Sequence, residues 1–188
     1  MNDQRRTHVS KYLSLHLRHQ PERLGLTLEP GGWVGVDLLL AACAHEQFPI
    51  SRAELDEVVA TSDKKRFAFD DTQTRIRANQ GHSVEIDLQL DPVAPPYVLF
   101  HGTATRFLDA ILREGLKKMA RHHVHLSAEV ATAQQVGARH GVAAILEIDA
   151  VSMSRDSFDF FCSANGVWLV DSVPARYLRV LPKHDETR

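Results

Sequence analysis

Arg18 and His19 stand side by side in the stretch Leu15–Gly25, at the end of a helical pattern and just before Pro21. A fixed cation beside a titratable imidazole suits two purposes. It complements the last carbonyls of a helix, worth ~0.3–1 kcal/mol, or it forms an anion site with a proton-handling group at its edge. Other polar residues also occupy places that core packing would not ask for. His101 follows the apolar run Tyr97–Phe100 and precedes Gly102 and Thr103, at a strand end where close backbone approach is available. His125 lies in a short strand pattern that leads into a helix start at Ser127, and the free N–H groups of a helix N-terminus suit a phosphate or pyrophosphate. Arg139 and His140 stand at the far end of that helix, within Gly137–Gly141, and Ala164–Leu169 reads as a turn entering an aromatic strand. Each has a plain structural alternative: hydrogen-bonded core histidines, an arginine complementing a helix dipole, a packed Trp168.

Composition narrows the chemistry. The chain has 188 residues, 44% hydrophobic and 24% charged, an ordinary globular mixture. Such a length buries about 70% of the unfolded surface, enough for one large core or two small ones. Cys43 and Cys162 are the only cysteines and sit in core-like contexts, so no disulfide framework is expected. Despite 11 histidines there is no HExxH spacing, and no metal site is expected. GxGxxG and Walker A patterns are absent. The longest apolar run, Val34–Ala44, is interrupted by Asp37, so no transmembrane helix is expected. Met1–Ser10 lacks the apolar centre of a signal peptide, and a cytoplasmic protein is expected. The net charge of −2 gives no global attraction to nucleic acid. Two windows differ: Lys64–Arg77 and His101–His125 each hold five basic residues against two acidic ones. A polyanion would be met by such clusters.

The elements that must position these residues fall into two lobes, expected at residues 1–92 and 97–188, joined by the proline-rich Leu90–Tyr97. In the first, Val9, Tyr12, Leu13, His16 and Leu17 share a face at helical spacing over Val9–Arg18, and Pro21 stops the helix. Asp37 can cap a second helix, and Ser51 with Glu54 forms a capping box for a third. Arg66–Asp70 and Arg75–Asn79 flank a turn and predict a β-hairpin. Three helices and a hairpin suggest a winged-helix-like module. The second lobe predicts strands at Tyr97–Gly102, His123–Ser127 and Ala143–Asp149, then a β-rich end, five or six in all. Its two helices are capped by Thr105 and Ser127 and ended by Gly115 and Gly141. The class is α+β, without regular βαβ alternation.

Taken in order, "SKYLSLHLRHQP", "GGWVGVDLLL", "SDKKRF", "RIRANQGHS", "HGTATRFLDAILREGL", "RHHVHLS", "GARHG" and "NGVWL" carry a resemblance over about Ser10 to Leu181. The chain resembles the NAD-dependent RNA (tRNA) 2′-phosphotransferase family. The resemblance implies an N-terminal winged-helix lobe that binds RNA and a C-terminal ADP-ribosyltransferase-type lobe that holds NAD+ as a consumed co-substrate, with no metal. It implies that an internal RNA 2′-phosphate attacks the nicotinamide ribose and expels nicotinamide. The ribose 2″-hydroxyl then attacks phosphorus, leaving RNA with a 2′-hydroxyl and ADP-ribose 1″,2″-cyclic phosphate. The family's catalytic set falls on Arg18, His19, Arg66 and Arg121.

That set makes chemical sense. Phosphoryl transfer needs charge neutralisation and positioning above all, and guanidinium groups meet phosphate oxygens in a planar fork. His19 suits the proton traffic as general acid or base. The family's His, His and apolar signature for NAD+ falls on His101, His125 and Val167, and an anionic phosphate needs no acidic residue at that third place to activate it. Gly102, Thr103, Ser127 and Arg139 are further expected NAD+ contacts. Lys65, Gln80 and His82 are expected RNA contacts. The chain is expected to work as a monomer. Two alternatives are an ADP-ribosyltransferase that stops after the first step, on a terminal nucleic-acid phosphate or a protein, and a non-enzymatic winged-helix regulator that senses NAD. The second of these does not need the intact Arg-His-Arg-Arg set.

Overall fold

The structure is a computed structural model that describes residues 1–62 and 65–182. It divides into two compact units, Met1–Leu90 and Asp91–Arg188. Helices and antiparallel sheets are mixed in both, an α+β organisation.

In the first unit, helix α1 spans Asp3–Arg18 and starts earlier than its apolar pattern. Asn2 caps it by accepting from the Arg5 N–H at 2.8 Å, and Asp3 sits in the first turn, where the dipole favours an anion. Val9, Leu13, His16 and Leu17 are buried, as their spacing predicts. Strand β1, Trp33–Gly35, escaped the sequence reading because three residues are too few for a period to show. It runs straight into α2, Val36–His45. Asp37 does not cap α2. Gly35 is the cap position, held in register opposite Arg75, while the Val36 N–H donates to the Thr74 carbonyl at 2.8 Å; Asp37 therefore falls inside the first turn. Helix α3, Arg52–Thr61, begins with the expected Ser51/Glu54 capping box. Hydrogen bonding from the Arg5 guanidinium, then from the Ser51 backbone, pulls the Glu54 carboxyl down to about 2.

The expected hairpin forms as β2, Phe67–Phe69, against β3, Arg75–Ala78. Asp70 accepts from the backbone N–H groups of Thr74 and Arg75, both at 3.0 Å, and fixes the turn. With β1 on the other edge of β3, the sheet order is β1-β3-β2. Leu13, Leu17, Leu39, Leu55, Phe67 and Ile76 belong to its core.

The second unit has eight strands among the described residues, more than expected. They are β4 (Val98–Ala104), β5 (Leu116–Lys117), β6 (Val124–Leu126), β7 (Ala143–Asp149), β8 (Phe160–Cys162), β9 (Trp168–Val170), β10 (Ser172–Val173) and β11 (Leu178–Val180). Its helices are α4 (Leu108–Glu114), α5 (Val130–Gly137) and an unforeseen α6 (Ala150–Arg155) capped by Asp149. Two three-stranded sheets, β11-β7-β4 and β6-β9-β8, meet at a bridge in which Phe100 and Ser127 exchange backbone hydrogen bonds of 2.8 Å.

Two expected caps are corrected. Thr105 opens a short 3-10 turn that ends at Phe107, so α4 starts later and without a side-chain cap. Ser127 is tied into the Phe100 bridge, and its hydroxyl exchanges 3.0 Å bonds with the Glu129 backbone, so α5 starts only at Val130. A 3-10 turn, Ala138–His140, carries the chain from α5 to Gly141. Cys43 is buried, whereas Cys162 is only half-buried.

Candidate active site

In the first unit, Arg18 ends α1 and His19 occupies its C-cap, with the His19 N–H on the Leu15 carbonyl at 3.0 Å. The Arg18 side chain does not fold back on its own helix. Its Nη2 donates to the Arg66 carbonyl at 3.4 Å, its guanidinium carbon lies 6.0 Å from the Phe67 ring, and it passes beside Gly81. Arg66 follows α3 through a turn in which Lys65 adopts a left-handed backbone, φ 39°, with its N–H on the Ser62 carbonyl at 2.8 Å. The Arg66 carbonyl also accepts from the Asn79 N–H at 2.9 Å, one step beyond the Phe67–Ala78 pair of the hairpin. One carbonyl thus ties the Arg18 head to the hairpin edge. Arg66 Nη1 donates to Ser62 Oγ at 3.4 Å.

His19 and Arg66 line one groove of about 620 Å³. The imidazole is aimed by a residue the sequence reading did not single out. Ser83 Oγ lies 2.8 Å from His19 Nδ1, and the Ser83 N–H donates to the Arg18 carbonyl at 2.9 Å. Buried Asn79 is a second omission: its Nδ2 donates to the Lys65 carbonyl at 2.6 Å and pins the turn that presents Arg66. Of the expected RNA contacts, Lys65 is exposed and Gln80 half-buried. His82 needs correction: it is 1% exposed, packed inside the unit beside Gly32, and offers no surface to a strand of RNA. Asp63 and Lys64 of the basic stretch lie outside the described residues.

In the second unit, the Phe100–Ser127 bridge sets β6 beside β4, and His101 Nδ1 reaches the His125 carbonyl at 3.0 Å. A carbonyl only accepts, so Nδ1 carries the proton. Burial lowers the His101 pKa, only partly offset by that bond, and the Arg121 charge lowers it further. The imidazole is therefore neutral at pH 7 and keeps an acceptor lone pair on Nε2. Arg121 is exposed, and its Nη1 donates to His125 Nδ1 at 3.1 Å. Arg121, His125 and His101 form one linked set. Val167 closes a turn held by buried Ser163, which bonds both the N–H and the carbonyl of Val167 at 3.1 and 3.0 Å.

Gly102 and Thr103 have a packing task. Both are buried under α5, and a Cβ on Gly102 would lie 1.7 Å from the Ala133 carbonyl oxygen. The Thr103 carbonyl lies 2.8 Å from where a Cβ on Gly137 would be. These positions are explained by the approach of strand to helix backbone. Ser127 is half-buried at the bridge, and Arg139 is exposed in the turn after α5.

A family model described as "RNA 2′-phosphotransferase, Tpt1 / KptA family" matches residues 4–172. The chain belongs to this family. Relatives named probable RNA 2′-phosphotransferase agree along nearly their whole length. The one from Trichormus variabilis is 59% identical over 181 residues, covering 96% of this chain and 100% of the relative. That from Herpetosiphon aurantiacus is 59% identical over 178 residues, covering 95% and 98%. That from Streptomyces coelicolor is 56% identical over 184 residues, covering 98% and 100%. In this member of the RNA 2′-phosphotransferase family, a family of enzymes, the described residues contain no group of three or more His, Cys, Asp or Glu that could hold a metal ion. Among the described residues, no helix is long and apolar enough to cross a membrane.

Proposed function

We propose that this chain removes an internal 2′-phosphate from RNA by transferring it to NAD+, through an ADP-ribosylated 2′-phospho-RNA, to give RNA with a 2′-hydroxyl, nicotinamide and ADP-ribose 1″,2″-cyclic phosphate. The observation that carries this reading is the placement of His19 and Arg66 on one groove, with Arg18 tied to the Arg66 carbonyl, in a chain of this family. The element order α1-β1-α2-α3-β2-β3 supports a winged-helix-like first unit. Two three-stranded sheets joined at one bridge support an ADP-ribosyltransferase-type second unit.

The residues present fit NAD+ at one point of clear chemistry. His101, neutral and fixed through Nδ1, offers Nε2 as an acceptor for a ribose hydroxyl, and in a buried site such a bond orients the sugar. When bound, NAD+ supplies a ribose carbon that loses nicotinamide readily. His125, Val167, Gly102, Thr103, Ser127 and Arg139 are proposed as further contacts to it. Arg18, Arg66 and Arg121 neutralise the phosphate oxygens as charge shifts during transfer. His19, aimed by Ser83, handles the proton exchanged between the attacking hydroxyl and the departing RNA 2′-oxygen. Lys65 and Gln80 are proposed to meet RNA. The same reading has the chain act as a cytoplasmic monomer.

The test is incubation of the protein with an oligonucleotide carrying one internal 2′-phosphate, with and without NAD+ and with a chelator. Loss of the 2′-phosphate should require NAD+ and survive chelation. Equal loss without NAD+ overturns the reading. A stable ADP-ribosylated RNA as the end product makes the chain an ADP-ribosyltransferase instead.

A further inference from the structure

The groove that His19 and Arg66 line runs well beyond them. One wall is α1, from Arg6 to His19; the other holds Val58 and Thr61 of α3, then Ser62 and Arg66. Thr7, Ser10, Lys11 and Ser14 recur at steps of three and four residues and so share one face of α1. At 1.5 Å per residue the run from Thr7 to His19 is about 18 Å long, more than one phosphate group can fill. Thr61 and Ser62 stand opposite.

The lining has a consistent chemistry. Among the described residues, none that lines the groove is acidic, and none is aromatic apart from the His19 imidazole. Arg6 is committed to ion pairs with Asp3 and Glu57. Lys11 differs: it is exposed and belongs to no ion pair among the described residues. The groove therefore presents an uncommitted ammonium group and a row of hydroxyls, continuous with His19 and Arg66. Lys, Ser and Thr are the residue types that hold sugar–phosphate backbones, fixing register without reading sequence. Reading bases in a single strand relies on stacking on aromatic rings and contacts to base edges, and this lining has no stacking platform.

We infer that this groove is an RNA-strand subsite: it takes the phosphate backbone of nucleotides flanking the 2′-phosphorylated one, with Lys11 as its charged anchor and Ser10 and Ser14 as hydrogen-bond donors. The inference rests on the proposed function for RNA as the substrate. It adds that affinity grows with strand length and is indifferent to flanking sequence.

Fluorescence anisotropy tests this without relying on catalysis. The probes are a long oligonucleotide with one internal 2′-phosphate, made in several flanking sequences, and a dinucleotide with the same 2′-phosphate. Lys11→Ala should weaken binding of the long probe about tenfold, the size of one lost charge-assisted hydrogen bond. It should reduce the slope of log affinity against log salt by about 0.7, one single-strand phosphate contact. Lys11→Glu should weaken it further. In each case the preference for the long probe over the dinucleotide should shrink, alike for every flanking sequence, whereas Lys117→Ala, an equal charge change outside the groove, should leave that preference intact. The inference is overturned if Lys11→Ala weakens both probes equally, leaves the long probe unaffected, or acts on only some flanking sequences. Because binding is read apart from turnover, a parent protein that binds by length but transfers no phosphate to NAD+ would sink the reaction and leave the subsite standing.

Discussion

At the scale of single residues, the catalytic candidates were legible and the residues that aim them were not. Arg18 and His19 are adjacent, and their odd pairing before Pro21 could be seen in one short stretch. Ser83 touches His19 across 64 positions of sequence. A small polar residue in a segment without regular structure leaves no periodic trace, so only the fold reveals that it holds the Arg18 carbonyl and the His19 ring together. This gives it a separable role as a positioning residue. Ser83→Ala should lower kcat/KM about three- to tenfold, the worth of a neutral hydrogen bond of ~0.5–1.5 kcal/mol. The loss should fall on kcat with KM little changed, and Ser83→Thr should restore it. Equal losses in kcat and in substrate binding, with no rescue by threonine, would mean that Ser83 only supports the local backbone.

At the scale of elements, the patterns that survived are those whose cause is local. The buried face of α1, the Ser51/Glu54 capping box and the β2–β3 hairpin are each specified within a dozen residues. The caps assigned to Asp37, Thr105 and Ser127 failed for one reason: each side chain is competent to cap, but pairing or turning upstream decides where the helix begins. Gly102 is the same lesson in reverse. Beside its proposed place at the ligand, its lack of a side chain lets β4 lie against the α5 backbone, a contact that only the fold reveals. Gly102→Ala should therefore destabilise the second unit by ~1–3 kcal/mol or more, as overpacking does. Its nearest obstacle, the Ala133 carbonyl at 1.7 Å from the added Cβ, belongs to the backbone and cannot rotate away. Thermal unfolding should show a lowered Tm even with no ligand present. Unchanged stability with selectively weakened NAD+ binding would mean that Gly102 matters as a ligand contact and not through packing.

For the whole molecule, the proposed chemistry divides into two steps with different demands. The first expels nicotinamide, a good leaving group, using a phosphate that is already anionic. It depends on how NAD+ is held, and His101 is the residue whose state is best defined for that purpose. The second breaks the bond to the RNA 2′-oxygen through attack by a neutral hydroxyl. It needs proton transfer, worth ~10²–10⁴-fold, and stabilisation of charge on the phosphate oxygens, worth ~10²–10³-fold per donor. His19→Ala, Arg66→Ala and Arg121→Ala should therefore slow the second step more than the first and accumulate ADP-ribosylated 2′-phospho-RNA. His101→Ala should slow the first step and accumulate nothing. Acid should imitate that variant: protonating Nε2 removes the acceptor, and because burial holds the His101 pKa below the ordinary ~6.5, the first step should stay constant down through neutrality and fail only at a pH below that value. Single-turnover reactions resolved on a denaturing gel, run across pH, distinguish the two classes. If the His19 and arginine variants stop without any intermediate, they serve mainly to bind substrate; if His101→Ala accumulates the intermediate, its imidazole serves the second step.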